Sequence, residues 1–336
     1  METSPHCGQG RWIDLSRDLN PIADLLAVAF AERLDEDGRA ALRQLRRIAR
    51  SRRAQRWYSQ REVPGAPVYG FVWECKGRIV GNVSLIPLDT TPKQYLIVNV
   101  AVLPAYRRRG IAHALMQQSL AYARQQGASR LWLQVDTDNH GAIALYRRLG
   151  FVACETVTLW QLGDSQTPDL LPLDGFQVRS GLVRRREWAR QLAWLHSLYP
   201  PERAWHLPLP AEQALAPTWR GWWWRLLHPL TFRQGIVRKA GRLQATAVWL
   251  PRPGAPTDAV LFAAPPDAAP ATIVTLTSHL RTFTRRPLRA ELPRGAAEEG
   301  LRAAGFQPVR HLLWMLWRAD AALTSPCYNE SNTKHG

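Results

Sequence analysis

The spacing of apolar and polar residues divides the first half of the chain into short strands and helices. Some segments are rich in β-formers, while others carry apolar residues at helical spacing. The predicted elements, in order, are strand 11–15, helix 20–30, helix 39–56, strands 68–75, 78–85 and 95–103, helix 110–126, strand 131–135, helix 142–149 and strand 151–160. This order favours a mixed α+β fold with one central β-α-β unit.

The second half repeats this rhythm less clearly. Its predicted elements are strand 176–180, helix 184–198, a hairpin over 235–250, strand 259–264, helix 272–283, strand 288–292, helix 296–304 and strand 307–318. The segment Tyr146-Arg-Arg-Leu-Gly-Phe151 has a counterpart in Leu301-Arg-Ala-Ala-Gly-Phe306, which indicates a diverged internal duplication. The predicted domains are 1–163 and 176–319, with a linker at 164–175 and a flexible tail at 320–336.

The composition agrees with a folded chain of two domains. The chain has 336 residues, and 46% of them are hydrophobic, which excludes wholesale disorder. No segment approaches the roughly 20 apolar residues that span a bilayer, and the first residues lack the apolar core of a signal peptide. The four cysteines are far apart and show no metal-ligand spacing, so we expect unpaired thiols and no metal site. We therefore expect a cytoplasmic protein without a membrane span.

The formal net charge is +17, from 44 Lys+Arg and 27 Asp+Glu. The densest positive segment, Arg39–Arg61, holds nine arginines and no acidic residue. Such a segment can bind a phosphate-rich partner or an anionic membrane surface, or it can be the solvated face of a helix. We favour the solvated face because arginine far outnumbers lysine throughout the chain, and we do not expect a nucleic-acid partner.

A second unusual segment, 218–227, contains four tryptophans. They are Trp219, Trp222, Trp223 and Trp224. The cluster could be an aromatic wall for a substrate, a membrane-interface belt or packing between the two halves of the chain. We favour packing between the halves.

The clearest candidate site is the end of the third strand and the turn that follows it. Val100-Ala-Val-Leu-Pro104 leads into Arg107-Arg-Arg-Gly110-Ile-Ala112 at the start of a helix. The first N–H groups of a helix lack internal partners, and Gly110 and Ala112 allow a phosphate to approach the backbone. The turn is not a Walker A loop and lacks GxGxxG. It has the parts of a diphosphate cradle.

Together with a second motif, this turn resembles the GNAT superfamily of N-acetyltransferases. The family's acetyl-CoA loop, Gln/Arg-x-x-Gly-x-Gly/Ala, corresponds to Arg107-x-x-Gly110-x-Ala112. Its later signature, Asn-x-x-Ala-x-x-Leu-Tyr-x-x-x-Gly-Phe, corresponds to Asn139 through Phe151. The resemblance covers residues 11 to 161 and implies a three-layer α/β/α mixed sheet, in two tandem GNAT-like domains.

The resemblance also implies roles for particular residues. The backbone of Val100, Ala101 and Val102 would pair with the pantetheine arm of acetyl-CoA, which is the co-substrate. Asn139 would support that arm, and Tyr146 would be the general acid that protonates the leaving thiolate. The pyrophosphate would be held by the turn residues Arg107, Arg108, Arg109, Gly110, Ile111, Ala112 and His113.

The general base stays open. The position where some relatives have a base on the next strand corresponds to Gln134, and an amide cannot accept the proton. A chain of waters, Glu74, Asp136 or a residue of the second half are the alternatives.

The second half resembles a degenerate copy of the same fold. In place of the cofactor turn it has Ala264-Pro-Pro-Asp267-Ala-Ala-Pro270, where prolines remove N–H donors and Asp267 repels phosphate. Leu301 stands where the first half has Tyr146. We therefore expect one active site.

The favoured function is transfer of an acetyl group from acetyl-CoA to a primary amine of a small molecule or peptide. One alternative is a non-catalytic acyl-CoA-binding module with a basic interaction arm. Another is a nucleic-acid or anionic-membrane binder that uses the same fold, with Arg39–Arg61 as its contact. The sequence makes no prediction of an oligomeric state.

Overall fold

The computed structural model describes residues 8–59, 69–163, 175–228 and 230–319. The chain forms two compact units. The first contains the residues up to Glu155 together with those from Leu313 onward, and the second contains Thr156–Leu312. Each unit contains its own set of neighbouring strands.

The first unit follows the predicted order of elements. Its strands are β1 Gln9–Trp12, β2 Tyr69–Cys75, β3 Arg78–Leu88, β4 Gln94–Val102 and β5 Arg130–Asp136. Its helices are α1 Leu19–Ala29, α2 Glu36–Arg50, α3 Arg52–Ser59, α4 Ile111–Gln125 and α5 His140–Arg148. The neighbours in the sheet are β1-β2-β3-β4-β5 in that order, antiparallel except for the parallel pair β4 and β5. The predicted α+β class is confirmed.

Helices cover both faces of this sheet. Helices α1 and α4 both pack against β3 and β4. Every residue of β3 from Ile79 to Leu85 is buried, and because successive side chains of a strand point to opposite faces, both faces are covered. The apolar faces of the helices meet the sheet in one core, which includes Leu26, Val83, Leu115 and Leu131. The three-layer arrangement follows from this packing.

The predicted arginine-rich helix is divided into two. Ser51, with an extended backbone, ends α2, and its hydroxyl accepts a hydrogen bond from the Ala54 N–H at 3.2 Å, at the start of α3. Helix α2 buries Leu45 and Ile48, and its arginines lie on the opposite, solvated side. Arg61, the last arginine of the run, lies outside the described residues.

The remaining elements build the second unit, in which a similar pattern recurs. The strands of this part of the chain are β6 Val152–Leu162, β7 Phe176–Ser180, β8 Arg233–Lys239, β9 Arg242–Leu250, β10 Asp258–Ala263, β11 Leu288–Pro293 and β12 Gln307–Arg318. The helices are α6 Trp188–Leu198, α7 Ala211–Ala214, α8 Trp219–Leu227, α9 Pro270–Arg281 and α10 Glu298–Ala303. The neighbours among the strands of the second unit are β6-β11-β10-β9-β8-β7.

Two strands lie partly outside the unit to which the predicted boundaries assign them. Most of β6, from Thr156, pairs with β11 in the second unit, with Leu162 opposite Leu288. The end of β12, from Leu313, lies beside β5 in the first unit. There Trp314 packs edge-to-face on Trp132, with ring centroids 6.2 Å apart. The units therefore differ in composition from the predicted domains 1–163 and 176–319.

Three further expectations concern single features. Nearly all of the predicted linker (164–174) and the predicted tail (320–336) lie outside the described residues. Each described cysteine, Cys75 and Cys154, is in a disulfide bond, so the expectation of unpaired thiols is wrong for both. In the described part of the chain, no helix is both long and apolar enough to cross a bilayer.

Candidate functional site

Strands β4 and β5 separate at their carboxyl ends. Their parallel pairing ends at Ile97 and Leu133, although both strands continue beyond these residues. The three predicted pantetheine contacts, Val100, Ala101 and Val102, lie on the separated part of β4. Backbone groups on that side of β4 have no ladder partner from β5, so an extended ligand can pair with them as an added strand.

A bulge in β4 marks the point of separation. Where β3 has two residue steps, from Asn82 to Ser84, β4 has three, from Val98 to Ala101. Asn99 takes up the extra length with a left-handed φ of 55°. The fully buried Asn82 side chain donates from Nδ2 to the Asn99 carbonyl at 2.9 Å, and also to Ser84 Oγ at 3.2 Å.

Asn82 is not among the site residues predicted from the sequence. Its Oδ1 is buried and finds no hydrogen-bond partner among the described residues. The signal in the sequence was an asparagine inside the apolar strand segment Ile79–Leu85, where a buried polar side chain needs partners. The side chain stabilises the strained bulge and leaves one acceptor beside it.

The turn between β4 and α4 presents an open concave backbone. Arg108 and Gly110 have left-handed φ values of 64° and 78°, and Gly110 is the N-cap of α4. Left-handed residues in such a turn direct successive N–H groups toward one side, and the helix dipole adds positive potential there. An ideal Cβ at Gly110 would meet no atom within 4 Å, so this face of the turn is open. The turn fits an anion of the size of a diphosphate.

The three turn arginines have different surroundings. Arg107 donates to the carbonyls of Val102 at 3.2 Å and Ala29 at 3.3 Å, which ties the turn to the end of α1. Arg109 donates to the Ala105 carbonyl at 3.0 Å. Arg108 is exposed and has no hydrogen-bond or ion-pair partner in the part of the chain that the structure describes. Arg108 is therefore the turn arginine with a guanidinium available to a ligand.

The other predicted cofactor contacts lie at the starts of two helices, α4 and α5. Ile111 is buried, and its side chain packs against Gly81 of β3, where an added Cβ would lie 2.9 Å from the Ile111 Cγ2. The Ile111 side chain therefore faces the core, and only its backbone faces the turn. Ala112 is half-buried and His113 is exposed on the first turn of α4. Asn139 is the N-cap of α5, where its Oδ1 accepts a hydrogen bond from the Ala142 N–H at 3.2 Å.

Tyr146, the predicted general acid, lies on the buried face of α5. Its ring packs in the core of the first unit, with its centroid 6.0 Å from that of Phe151. Burial raises the pKa of the Tyr146 phenol above its ordinary value of 10.0. The side chain is therefore a neutral hydrogen-bond donor throughout the physiological pH range.

Both carboxylates considered as bases are held by arginines. Glu74 accepts a hydrogen bond from Arg11 Nε at 2.7 Å. Asp136, at the end of β5, accepts one at 2.8 Å from Arg33 in the connection between α1 and α2. Gln134 is half-buried on β5.

The second unit has the same strand separation, but the gap is occupied. Parallel pairing of β10 with β11 ends at Ala259 and Arg289, although both strands continue. On the separated part of β10, the Phe262 N–H donates to the hydroxyl of Tyr199 at 3.1 Å. Tyr199 follows α6 and is deeply buried, and this burial raises the pKa of its phenol. A side chain of the unit itself therefore uses a backbone donor of the kind that is free in the first unit.

Among the described residues, no group of three or more His, Cys, Asp or Glu side chains is arranged to hold a metal ion. The separated strands and the open turn are accordingly the main features of the candidate site.

Sequence relatives match parts of the chain. The model of the acetyltransferase (GNAT) family matches residues 39–151. The chain is 43% identical over 58 residues to streptothricin acetyltransferase of Streptomyces lavendulae, covering 17% of this chain and 31% of that protein. It is 40% identical over 76 residues to the N-alpha-acetyltransferase RimI of Mycobacterium tuberculosis, covering 22% and 46%. The chain thus spans less than half the length of these relatives.

Solved structures resemble the chain over nearly its whole length. A tandem GNAT protein from the clavulanic acid biosynthesis pathway has a TM-score of 0.54 at 17% identity, covering 92% of this chain and 98% of that one. A GCN5-related N-acetyltransferase from Sphaerobacter thermophilus has a TM-score of 0.61 at 14% identity, covering 94% and 97%. At these identities the likeness concerns the fold. Residues 39–151 therefore match the acetyltransferase (GNAT) family, and the chain has the fold of tandem GNAT proteins.

Proposed function

We propose that the protein is an N-acetyltransferase that transfers the acetyl group of acetyl-CoA to a primary amine. The observation that carries the proposal is the combination of separated strands β4 and β5 with the open turn at Gly110. A pantetheine arm pairs with the free edge of β4, and the diphosphate lies against the N–H groups that begin α4. The second unit has no such opening at Phe262, so one acetyl-CoA binds per chain.

The separated edge of β4 positions the thioester for direct attack. Acetyl-CoA supplies an acetyl group on sulfur, and the amine nitrogen forms the new bond to the carbonyl carbon as the carbon–sulfur bond breaks. The bulge at Asn99 fixes where the free backbone groups of Val100 point, because Asn82 holds the Asn99 carbonyl. Alignment of this kind contributes much of the rate advantage of an enzyme that holds two substrates.

In this proposal Tyr146 is the general acid. Its hydroxyl donates a hydrogen bond to the sulfur as negative charge develops there, and the leaving thiolate takes the proton. Burial keeps the phenol protonated, which suits a donor. Because the same burial makes full proton transfer harder, the hydrogen bond itself supplies a large share of the stabilisation.

The amine reacts as its neutral form and loses its second proton to water. Glu74 and Asp136 are committed to Arg11 and Arg33, and neither is assigned as the base. The acceptor is a small molecule or a peptide. The relatives of this chain include a protein named streptothricin acetyltransferase and proteins named N-alpha-acetyltransferases. Small-molecule amines and peptide N-termini are therefore both candidate acceptors.

The test measures release of free CoA from acetyl-CoA over a panel of small-molecule amines and peptide N-termini. The unmodified protein is expected to turn over at least one class. The variant Tyr146→Phe is expected to bind acetyl-CoA normally, with kcat lower by roughly 10²–10⁴-fold.

Tyr199→Phe is the matched control, since it removes the hydroxyl of another tyrosine whose phenol has its pKa raised by burial. This control is expected to leave kcat unchanged. Tight binding of acetyl-CoA with no turnover of any amine would favour a non-catalytic acyl-CoA-binding module. Full activity of Tyr146→Phe would exclude the proposed acid.

A further inference from the structure

Helix α8 has its apolar stripe on the outside. In a surface helix of a folded protein, apolar residues at spacings of three and four normally face the core. In α8 this spacing is followed by exposed large apolar residues, Trp219, Trp222, Trp223, Leu226 and Leu227, and Leu230 just after the helix is exposed as well. Trp219 and Leu227 are 71% and 70% exposed. We call these six residues the α8 stripe.

The opposite side of α8 is fixed to the second unit. Gly221 is buried, and a Cβ there would lie 2.3 Å from the Ala216 carbonyl oxygen, so only glycine fits. Arg225 donates to the carbonyls of Ala214 and Ala216 at 2.9 and 3.0 Å. Trp224 packs against the apolar cluster of the unit. These contacts hold the helix in one rotation, so the α8 stripe cannot turn inward without breaking them.

Within the second unit, the tryptophan cluster of α8 lies mainly on the outer face of the helix. Three of the four indoles face solvent, and only Trp224 is packed inside the unit. A contiguous exposed apolar surface of this kind marks a contact with a partner or a membrane.

The surrounding charge favours one occupant. The sequence between Glu212 and Asp258, which contains α8, has seven Arg and Lys residues and no acidic residue. Two of the seven, Arg225 and Arg238, are bonded inside the unit. Arg220 lies next to the stripe, is exposed, and stacks over Trp219 at 5.8 Å. Glu212, the nearest acidic residue in the sequence, is bonded to His196 at 2.8 Å. Indole rings prefer the headgroup level of a bilayer, and basic residues beside them attract anionic lipids.

We propose that the α8 stripe docks on the surface of an anionic lipid bilayer. The indoles and leucines enter the headgroup region while Arg220 contacts lipid phosphates, and the protein stays peripheral. The docking concerns the second unit and is independent of the proposed acetyl transfer.

The test is co-sedimentation of the full chain with vesicles of phosphatidylcholine alone and of phosphatidylcholine mixed with phosphatidylglycerol. The protein is expected to bind the anionic vesicles, and added salt is expected to weaken this binding. The triple variant Trp219→Ser, Trp222→Ser, Trp223→Ser is expected to bind at least about tenfold more weakly, because three buried indoles are lost from the contact. Its melting temperature is expected to be unchanged, since these side chains are exposed.

Trp57→Ser is the matched control, since Trp57 is exposed on α3, in the arginine-rich segment of the first unit. It is expected to bind vesicles like the unmodified protein. Leu226→Ser with Leu227→Ser provides a second variant of the stripe, with the same expected loss. The proposal would be overturned if the unmodified protein did not bind anionic vesicles, or if both stripe variants bound them as tightly as the unmodified protein does. A dimer detected by light scattering and lost in the triple variant, without vesicle binding, would instead assign the stripe to a contact between two copies.

Discussion

The Asn82 side chain donates a hydrogen bond to the backbone carbonyl of Asn99 at 2.9 Å, and this contact stabilises the bulge at which β4 leaves β5. The two residues are on neighbouring strands, and Asn99 has a left-handed backbone that needs support from its surroundings. The cleft proposed for acetyl-CoA therefore depends on the buried amide of Asn82, which is not part of the family motifs.

Replacement of Asn82 by leucine tests this dependence. It leaves the Asn99 carbonyl without its donor, and we expect a loss of about 1–3 kcal/mol in the free energy of unfolding. Because the bulge also positions the free edge of β4, we expect kcat/KM for acetyl-CoA to fall at least about tenfold. Chemical denaturation and steady-state kinetics measure the two effects separately.

Gln94→Leu is the control for Asn82→Leu. Gln94 is a buried amide on β4, at the end of that strand that pairs with β5, where its Oε1 accepts from Trp132 Nε1 at 2.8 Å. We expect a similar loss of stability with kcat/KM for acetyl-CoA nearly unchanged. Equal kinetic losses in both variants would show that the bulge has no special role.

Gly110 and Gly127 form a matched pair at the two ends of α4. Both have left-handed backbones, with φ values of 78° and 69°, and a Cβ at either would meet no atom within 4 Å. Alanine at either position is expected to cost about 1–2 kcal/mol of stability. Only Gly110→Ala places a methyl group in the proposed diphosphate cradle, so only this variant should raise the Kd for acetyl-CoA, by about tenfold or more in calorimetry. A similar Kd for both variants would argue against the cradle.

The raised pKa of Tyr146 sets a limit on the alkaline side of the pH profile. The general acid is active while protonated, so its activity is present below its folded-state pKa and lost as pH rises through it. Because burial raises that pKa above 10.0, kcat should show no loss from tyrosine ionisation below pH 10.0. A kcat–pH profile tests this expectation. A fall in kcat below pH 10.0 that disappears in Tyr146→Phe would contradict it. The raised pKa of Tyr146 also predicts that the free energy of unfolding declines above pH 10.0. The unfolded chain then loses a phenol proton that the folded chain keeps.

Tyr199 determines the expected stoichiometry. Since its hydroxyl accepts from the Phe262 N–H, calorimetry should give one acetyl-CoA per chain. Tyr199→Phe should lower the free energy of unfolding by about 1–3 kcal/mol, because a buried N–H loses its acceptor, and the stoichiometry should stay at one. Two equivalents bound by the unmodified protein would mean that the second unit is open to acetyl-CoA.

Features set by short stretches of chain were predictable from the sequence. The turn around Gly110 and the helix after it depend on left-handed backbone at glycine and on the free N–H groups of one helix, which are local properties. Most strands and helices also lie close to their predicted bounds, since apolar spacing reports the buried face of each element. The roles assigned to Tyr146 and the turn residues stay predictions until they are tested.

Contacts between distant segments were decided by the tertiary structure. Asn82 meets Asn99 and Tyr199 meets Phe262 because strand register and helix packing bring them together, and neither appears as a motif. The assignment of most of β6 to the second unit and of the end of β12 to the first likewise depends on strand neighbours more than a hundred residues away in the sequence. The outward face of α8 follows from Gly221 and Arg225, which fix its rotation against the second unit. Local backbone chemistry is encoded in neighbouring residues, whereas register and rotation are set only when the whole core packs.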